Sequence, residues 1–522
     1  MATLTGILRS MGRAAVSWRT IRMLREDRLL CAFTLILAAA SIAPILTTPF
    51  LPLVDLGSHV GVAGLLPDVW LHRGVAWRHY AINPWPVPYW TGYIIMSVLH
   101  VLVGPMVAAN VTVAIAVLLL PLSYMRLLVA LSRSPRAGLW AFLLAWDVNM
   151  YWGWFTFQLG MALAFYALAW MIEAQRVRDA LRVAPLTALV ALTHVHAAAL
   201  VGVAAVTMAL MRPCSRNSLI RHAVALAGFA VMIPWLWAGL ARHGAPVAGA
   251  PWIFANPPLS EKVGSLYRYS MDVLPQPTAA DLTAVAFLLL LLGPTLLGSG
   301  RRRTVSPLTT EKAVSILGTC LALYLILPFE ISSPVQHWWL YPRYSTYILL
   351  GLLLIPTPDL RGLQTWVLAP GIVLSLALSA ARFHQFADFG RRTRPYLEII
   401  KAMRPNSTFL PLDFSMDWNG TREWPLGQLH GYAAAAKSSF DPHLFDFPYC
   451  PLLYRQDARL PVPSGWQNDQ IAAGFSMTGQ GRFYDYIITH PRKLDVVARL
   501  PPGEVELVVE AGEWRLYEVK KH

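Results

Sequence analysis

The chain has 522 residues and a formal net charge of +14, from 43 lysines and arginines against 29 aspartates and glutamates. Hydrophobic residues make up 56% of it and charged residues only 14%, whereas soluble domains carry about 25% charged residues. This composition excludes a disordered chain and argues against a purely soluble enzyme. The arginines lie between long apolar runs, where they orient membrane helices, so the positive charge does not predict nucleic-acid binding.

The apolar runs predict about eleven membrane spans, of which the first, 29–49, follows a basic segment, 1–28. The run 137–172 is too long for one span and is predicted to be a hairpin with Asp147 at its outer turn. The run 183–211 fits one long helix or two short spans with His194-Val195-His196 at the apex. We choose two spans, because two spans leave the arginine cluster that follows on the same side of the membrane as the other arginine clusters. The remaining spans are 106–131, 223–240, 281–298, 313–328, 343–357 and 364–381.

The distribution of basic residues gives the orientation. Loops on the side of the N-terminus hold 20 lysines and arginines, and loops on the other side before residue 382 hold six. The positive-inside rule therefore predicts a cytoplasmic segment 1–28 and a membrane domain 29–382 with outward loops at 50–105 and 241–280. The tail, 383–522, is predicted to be periplasmic or extracellular.

The tail lacks long apolar runs and contains four strand-like segments: 408–413, 486–489, 505–509 and 514–517. They predict a small α/β or α+β domain attached to a mainly α, polytopic membrane domain. The spacing of the tail's acidic and histidine residues matches no standard metal site, so we interpret them as solvated surface residues. They are Asp413, Asp417, His430, Asp441, His443 and Asp446.

Several chemistries are not supported by any motif. Cys31, Cys214, Cys320 and Cys450 show no metal-thiolate spacing, and the tail contains only the last of them. The chain has no Walker A motif and no dinucleotide-binding glycine fingerprint. ATP-driven transport and nicotinamide chemistry are therefore not expected within this chain.

Two acidic residues lie at predicted outer ends of spans. Asp55 and His59 would share one face of a helix just after the first span, where a carboxylate could act as a base or ligate a divalent cation. The alternative is that Asp55 caps that helix. Asp147 is an ionisable group at the membrane edge, hence a catalytic candidate, or an ordinary turn residue beside an aromatic belt.

Basic and histidine residues at the same side are candidates for binding a phosphate. Arg343, with Tyr341 beside it, precedes a late span, and a guanidinium matches two phosphate oxygens. The alternative is an arginine that reaches towards lipid headgroups. His194 and His196 could converge on a ligand at a hairpin apex, or be interfacial histidines without a ligand. Arg268 is a weaker candidate of the same kind.

The layout and two short motifs resemble a known family. Pro52-Leu-Val-Asp55-Leu-Gly-Ser-His59 is similar to the Pro-Leu-x-Asp-x-x-x-His element of bacterial GT-C membrane glycosyltransferases, and stretches at 152–160 and 192–194 are similar to others there. The resemblance implies an inverting transfer from a polyprenyl-phosphate sugar to an extracytoplasmic glycan, lipid or protein. It also implies that Asp55 and Asp147 are the two acidic loop residues and that Arg343 binds the lipid phosphate.

Other functions stay open at this point. His59 stands where some families have a further acidic residue, so a Mg²⁺ or Mn²⁺ ion at Asp55 and His59 is an open alternative. A flippase for a lipid-linked sugar, an O-antigen ligase or polymerase-like protein and a non-catalytic envelope-assembly protein are the rival functions. The composition, rich in alanine, leucine and arginine, favours a bacterial inner membrane.

Overall fold

The computed structural model describes residues 16–211, 214–242, 253–298, 304–333, 337–414, 418–463, 474–490, 501 and 503–521. Residues 1–15 of the basic N-terminal segment, Arg212, the cluster 301–303 and Asp417 lie outside the described residues. The first helices are Val16–Glu26, Arg28–Ile42, Leu56–Trp70, Gly74–His79, Trp90–Val103, Pro105–Ala130, Val148–Tyr151, Phe155–Glu173, Val177–Leu181 and Ala184–Thr193. The others are Val195–Leu210, Arg216–Leu226, Ile233–Arg242, Leu259–Gly264, Leu266–Ser270, Pro277–Gly298, Pro307–Ile326, Ser345–Leu352, Ala369–Thr393, Tyr396–Ala402 and His430–Lys437.

Seven helical segments within the described residues are long and apolar enough to cross a bilayer. They are Arg28–Thr47, Pro105–Ala130, Phe155–Glu173, Arg216–Trp237, Pro277–Gly298, Pro307–Ile326 and Gln364–Thr393. The other four predicted spans are also helical, but they are shorter or irregular. They are the 3-10 helix Pro135–Leu144 and the α-helices Ala184–Thr193, Val195–Leu210 and Ser345–Leu352. The run 183–211 breaks at His194, whose extended backbone separates two helices.

The predicted outward loop 50–105 contains three α-helices, and the two longer ones serve different surfaces. Leu56–Trp70, here called the Asp55 helix, has most of its residues buried. Trp90–Val103 leaves an apolar face exposed at Ile94, Val98 and Val101. In an aqueous setting such a face would be unfavourable, so it is the face that the bilayer would cover.

The strands, in chain order, are β1 (Tyr80–Ile82), β2 (Ile253–Ala255), β3 (Glu330–Ser333), β4 (His337–Trp338), β5 (Phe409–Phe414), β6 (Leu452–Tyr454), β7 (Tyr486–His490), β8 (Val505–Ala511) and β9 (Trp514–Val519). The four strands predicted in the tail are confirmed as β5, β7, β8 and β9. They form one sheet in the order β5-β7-β9-β8, in which only β5 and β7 pair in parallel. The predicted start of the tail at 383 falls inside the helix Ala369–Thr393, which runs unbroken from the membrane domain towards the sheet.

Part of the tail leaves its sheet and packs on the membrane domain. Strand β6 pairs antiparallel with β1, and the tail helix, His430–Lys437, packs against the Asp55 helix. The two backbones touch at Gly57, where a Cβ would lie 1.8 Å from the Gln428 carbonyl oxygen. Ser58 donates a hydrogen bond to the Gln428 side chain beside this contact. The tail is therefore anchored to the membrane domain at the helix that begins at Asp55.

Candidate active site

Asp55 is fixed by the backbone of the segment that follows Asp147. The Val54 amide donates to the Tyr151 carbonyl at 3.0 Å, and the Asp55 amide donates to the Trp152 carbonyl at 3.0 Å. Gly153 permits this approach because its φ is +83° and a Cβ there would lie 2.9 Å from the Asp55 nitrogen. Two loops that are distant in sequence thus hold one carboxylate in place.

The Asp55 side chain does not cap its helix, which answers the alternative left open by the sequence. Asp55 occupies the N-cap position without a side-chain capping bond. Its Oδ2 instead accepts a hydrogen bond from Trp154 Nε1 at 2.9 Å. Burial raises the pKa of Asp55 to about 7, although the Trp154 hydrogen bond and the Arg343 charge each lower it. A carboxyl group with this pKa can take up and release a proton near neutral pH.

Arg343 lies over the ring of the same tryptophan, whose N–H edge binds Asp55. Its guanidinium carbon is 3.6 Å from the centroid of the Trp154 ring, and its Nε donates to the Trp339 carbonyl at 3.0 Å. The residue is only 6% exposed, so its charge is directed inwards rather than towards lipid headgroups. Trp154 therefore separates a buried positive charge from a carboxylate, and it contacts both.

His59 completes this side of the site as a neutral imidazole. Its Nδ1 lies 2.6 Å from Tyr93 Oη, and its ring meets Phe155 and Phe445 edge to face. Burial, and then the Arg343 charge, lower the pKa of His59 to about 3. His59 therefore adds a hydrogen-bonding group to the site without adding charge.

The predicted histidine apex lies at the site too. His194 is fully buried, and its Nδ1 accepts a hydrogen bond from the His196 amide at 3.2 Å. This bond places the proton of the neutral ring on Nε2, which is buried without a hydrogen-bond partner. His196 Nε2 lies 3.3 Å from His337 Nε2. His194 and His337 line the cavity, and His196 supports them from behind.

These side chains line one cavity of about 470 Å³ with two walls. The membrane wall consists of the lining residues before residue 344, which include Asp55, His59, Trp154, His194, His337 and Arg343. The tail wall consists of the lining residues from 424 to 459, which include Gln428, His430, His443, Phe445, Asp446 and Tyr449. The sequence named Asp55, His59, His194 and Arg343 as site candidates, but it named neither Trp154 nor any individual residue of the tail wall.

The interpretation of the tail histidines and aspartates as solvated surface residues is wrong for the central ones. His430 and Asp441 are buried, and His430 Nδ1 lies 2.5 Å from Asp441 Oδ2. The His443 amide donates to Asp441 Oδ1 at 3.0 Å. Their clustering within 14 residues of sequence was the signal that could have shown this arrangement. Asp417 lies outside the described residues.

Four predicted site residues do not line the cavity: His196, described above, and Asp147, Tyr341 and Arg268. Asp147 is fully buried and caps the short helix Val148–Tyr151, because its Oδ1 accepts the Met150 amide at 2.9 Å. Tyr341 is buried among aromatic rings, with the Lys262 ammonium 4.7 Å from its centroid. Arg268 is exposed and lies over Tyr269. Asp147 shapes the loop that carries Trp154, so its position indicates a structural role.

The donor set at Asp55 does not fit a divalent ion. Such ions take several oxygen ligands, but Asp55 is one carboxylate whose Oδ2 is engaged by Trp154, and Nδ1 of His59 is engaged by Tyr93. The described part of the chain contains no group of three histidine, cysteine or acidic side chains arranged for a metal.

Comparisons with known proteins give a fold but no sequence relative. No protein-family model and no curated protein sequence matches the chain. The crystal structure of ArnT from Cupriavidus metallidurans bound to undecaprenyl phosphate matches with a TM-score of 0.51 at 14% identity, over 97% of this chain and 98% of that one. The chain has a GT-C-like fold.

Two further structures are similar to this chain. The apo crystal structure of ArnT matches with a TM-score of 0.50 at 13% identity, over 94% of this chain and 97% of that one. A cryo-EM structure of the arabinofuranosyltransferase AftD from Mycobacteria gives 0.48 at 16% identity, over 95% of this chain and 40% of that one. The fold assignment rests on the ArnT pair, and with the seven candidate spans it makes this chain a multi-pass membrane protein.

Proposed function

We propose that this protein is a membrane glycosyltransferase that moves a sugar from a polyprenyl-phosphate donor to an extracytoplasmic acceptor. One observation supports this above the others: the Asp55 carboxylate and the Arg343 guanidinium meet on Trp154 inside one cavity. The ArnT structure with the matching fold is bound to undecaprenyl phosphate, the kind of carrier that such a donor contains.

The two charged groups match the two demands of the reaction. The acceptor hydroxyl oxygen attacks the anomeric carbon, and its proton passes to the Asp55 carboxylate. The bond between the anomeric carbon and the phosphate oxygen breaks, its electron pair leaves with the phosphate, and Arg343 stabilises that charge. One displacement of this kind inverts the anomeric carbon. His194 Nε2 and His59 would add hydrogen bonds to the donor.

We assign the membrane orientation by the same reasoning. The N-terminus and the basic loops would be cytoplasmic, and the cavity and the tail would face the periplasm of a bacterial inner membrane. Cys214 offers a direct test, because it is exposed in a loop predicted to be cytoplasmic and Cys320 and Cys450 are buried. Because Cys450 also lines the cavity, it is removed together with Cys31, and a membrane-impermeant maleimide should label the C31S/C450S protein only after the membrane is permeabilised. Labelling of intact spheroplasts would reverse the assignment.

The transfer reaction itself is tested on purified protein in lipid nanodiscs. A panel of polyprenyl-phosphate sugars is offered with envelope extracts, and labelled product is measured for wild type, D55N and D68N. Because a general base contributes about 10²–10⁴ in rate, D55N should lose at least about 100-fold. Asp68 lies on the same helix but does not line the cavity, so D68N should keep wild-type transfer.

The outcomes separate the rival functions. Product formed equally by D55N and wild type would refute Asp55 as the base. No product from any donor, with the lipid carrier still bound, would favour a flippase or a non-catalytic assembly protein. Movement of a fluorescent lipid-linked sugar across proteoliposomes would then distinguish those two.

A further inference from the structure

Three aromatic rings form a ladder along the tail wall. Phe445, Phe447 and Tyr449 alternate with other residues in an irregular segment, and all three line the cavity. The centroids of Phe445 and Phe447 are 5.6 Å apart, and those of Phe447 and Tyr449 are 5.2 Å apart with planes at 12°. Phe447 and Tyr449 are therefore stacked, and Phe445 is tilted against Phe447. We call these three residues the aromatic ladder.

The aromatic ladder reaches both ends of the membrane wall. Phe445 lies with its centroid 5.1 Å from that of His59, which follows Asp55 by one helical turn. Tyr449 lies 5.7 Å from His337 and 5.8 Å from Tyr89. A molecule resting on the ladder would therefore lie beside the carboxylate that we propose as the base.

The ladder is held rigidly by bonds to the membrane domain. The Asn83 side-chain amide donates to the Pro448 and Cys450 carbonyls, each at 3.0 Å. The Tyr454 amide donates to Asp446 Oδ1 at 3.0 Å, and Tyr454 belongs to strand β6, which pairs with β1. A surface held in its binding conformation avoids the cost of ordering when a ligand binds.

Polar groups with the chemistry of hydroxyl recognition surround the ladder. His443 lines the cavity, its amide is bonded to Asp441, and its Nε2 is buried without a hydrogen-bond partner. Such an unmet group costs about 1–3 kcal/mol, which a ligand would recover. Burial lowers the pKa of His443 to about 4, so its ring is neutral and carries one donor and one acceptor. Arg459 and Asp446 line the same wall.

We propose that the tail wall is the acceptor subsite and that the acceptor is a saccharide, which rests on the transferase function proposed above. Sugar rings present C–H faces, whose partial positive charge suits the electronegative face of an aromatic ring. Their rims present hydroxyls, which both donate to and accept from neutral imidazole, carboxylate and guanidinium groups. A peptide acceptor would seek backbone partners, but the carbonyls of Pro448 and Cys450 and strand β6 are already bonded to the membrane domain.

The subsite is tested without donor, so that binding is separated from transfer. Full-length protein in nanodiscs is applied to an array that carries linear oligosaccharides of hexoses and pentoses, serine- and threonine-containing peptides, and phospholipids. Wild type should be retained on a subset of the oligosaccharides. F447A and H443Q should weaken that retention at least about tenfold, the loss of one aromatic contact or one hydrogen bond.

The controls keep the result interpretable. Phe483 is a partly exposed tail residue away from the cavity, so F483A should bind like wild type. Transfer assays on the same wild-type preparation separate the two proposals: saccharide retention without product would count against the transferase, and product without saccharide retention would count against this subsite. H443Q changes little volume and tests the subsite even when F447A misfolds. Retention on peptides or phospholipids alone, no retention on any saccharide, or unchanged retention of H443Q would overturn the proposal.

Discussion

The two walls of the cavity are positioned by different parts of the chain. On the membrane wall, Asp55 and Trp154 lie where two loops join through consecutive backbone hydrogen bonds, beside Gly153. The tail wall is an excursion that leaves a sheet, packs its helix on the Asp55 helix and pairs β6 with β1. The membrane wall therefore holds the groups of the proposed chemistry, and the tail wall holds the proposed acceptor subsite. In these proposals, donor chemistry and acceptor choice depend on different segments of the chain.

Among the variants that distinguish the two walls, a substitution of Arg343 should have the largest effect. A lysine at this position keeps the charge but lacks the planar guanidinium group that lies over the Trp154 ring. R343K should lower kcat/KM for the donor by about 100- to 1000-fold, the cost of removing one donor to developing charge. Saccharide retention on the array should not change. Arg391 is exposed and ion-paired with Asp388, so R391K is the matched control, and equal losses in both variants would contradict the assignment.

A smaller loss is expected at Gly153, which tests how the membrane wall is built. In G153A the new Cβ would press on the Asp55 backbone nitrogen at a residue with φ of +83°, so Asp55 must shift. A displacement of about 1 Å at a reacting group can cost about 100-fold, and we expect kcat to fall by that factor. Gly318 has no atom within 4 Å of its Cβ position, so G318A serves as control. Full turnover by folded G153A would show that Asp55 is not the group that matters.

The smallest expected effect is a shift of the pH profile. The proposed reaction needs the Asp55 carboxylate, so we expect the rate to fall about tenfold per pH unit below the pKa of about 7. Trp154 lowers that pKa through its hydrogen bond, and W154F removes the donor but keeps a ring under Arg343. The acidic limb of the pH–rate profile of W154F should move to higher pH by about one unit. The rates of W154F and wild type should become equal near pH 9. H443Q should leave the limb in place, and a downward shift in W154F would refute the assignment.

The sequence predicted the membrane wall because its elements are local. Arginine placement gave the span order, and the run from Pro52 to His59 placed a carboxylate and an imidazole one turn apart. The same reasoning placed Asp147 in the site, because the sequence pattern around a charged residue near a membrane edge is the same whether the residue caps a helix or faces a cavity. The tail wall was missed because its burial comes from packing with segments about 370 positions earlier, such as Ser58 with Gln428. No local pattern records such a contact.

The packing of the tail helix on the Asp55 helix also has a consequence for biosynthesis. The Asp55 helix leaves the ribosome before its partner surface at Gln428 and Gly431, because Ser58 and its partner Gln428 are 370 positions apart in the sequence. The glycine-lined face at Gly57 and Gly61 must therefore wait, uncovered, while the intervening spans are inserted. A cavity with both walls can exist only after the tail has been synthesised, so a chain that stops before the tail would carry Asp55 but lack the second wall.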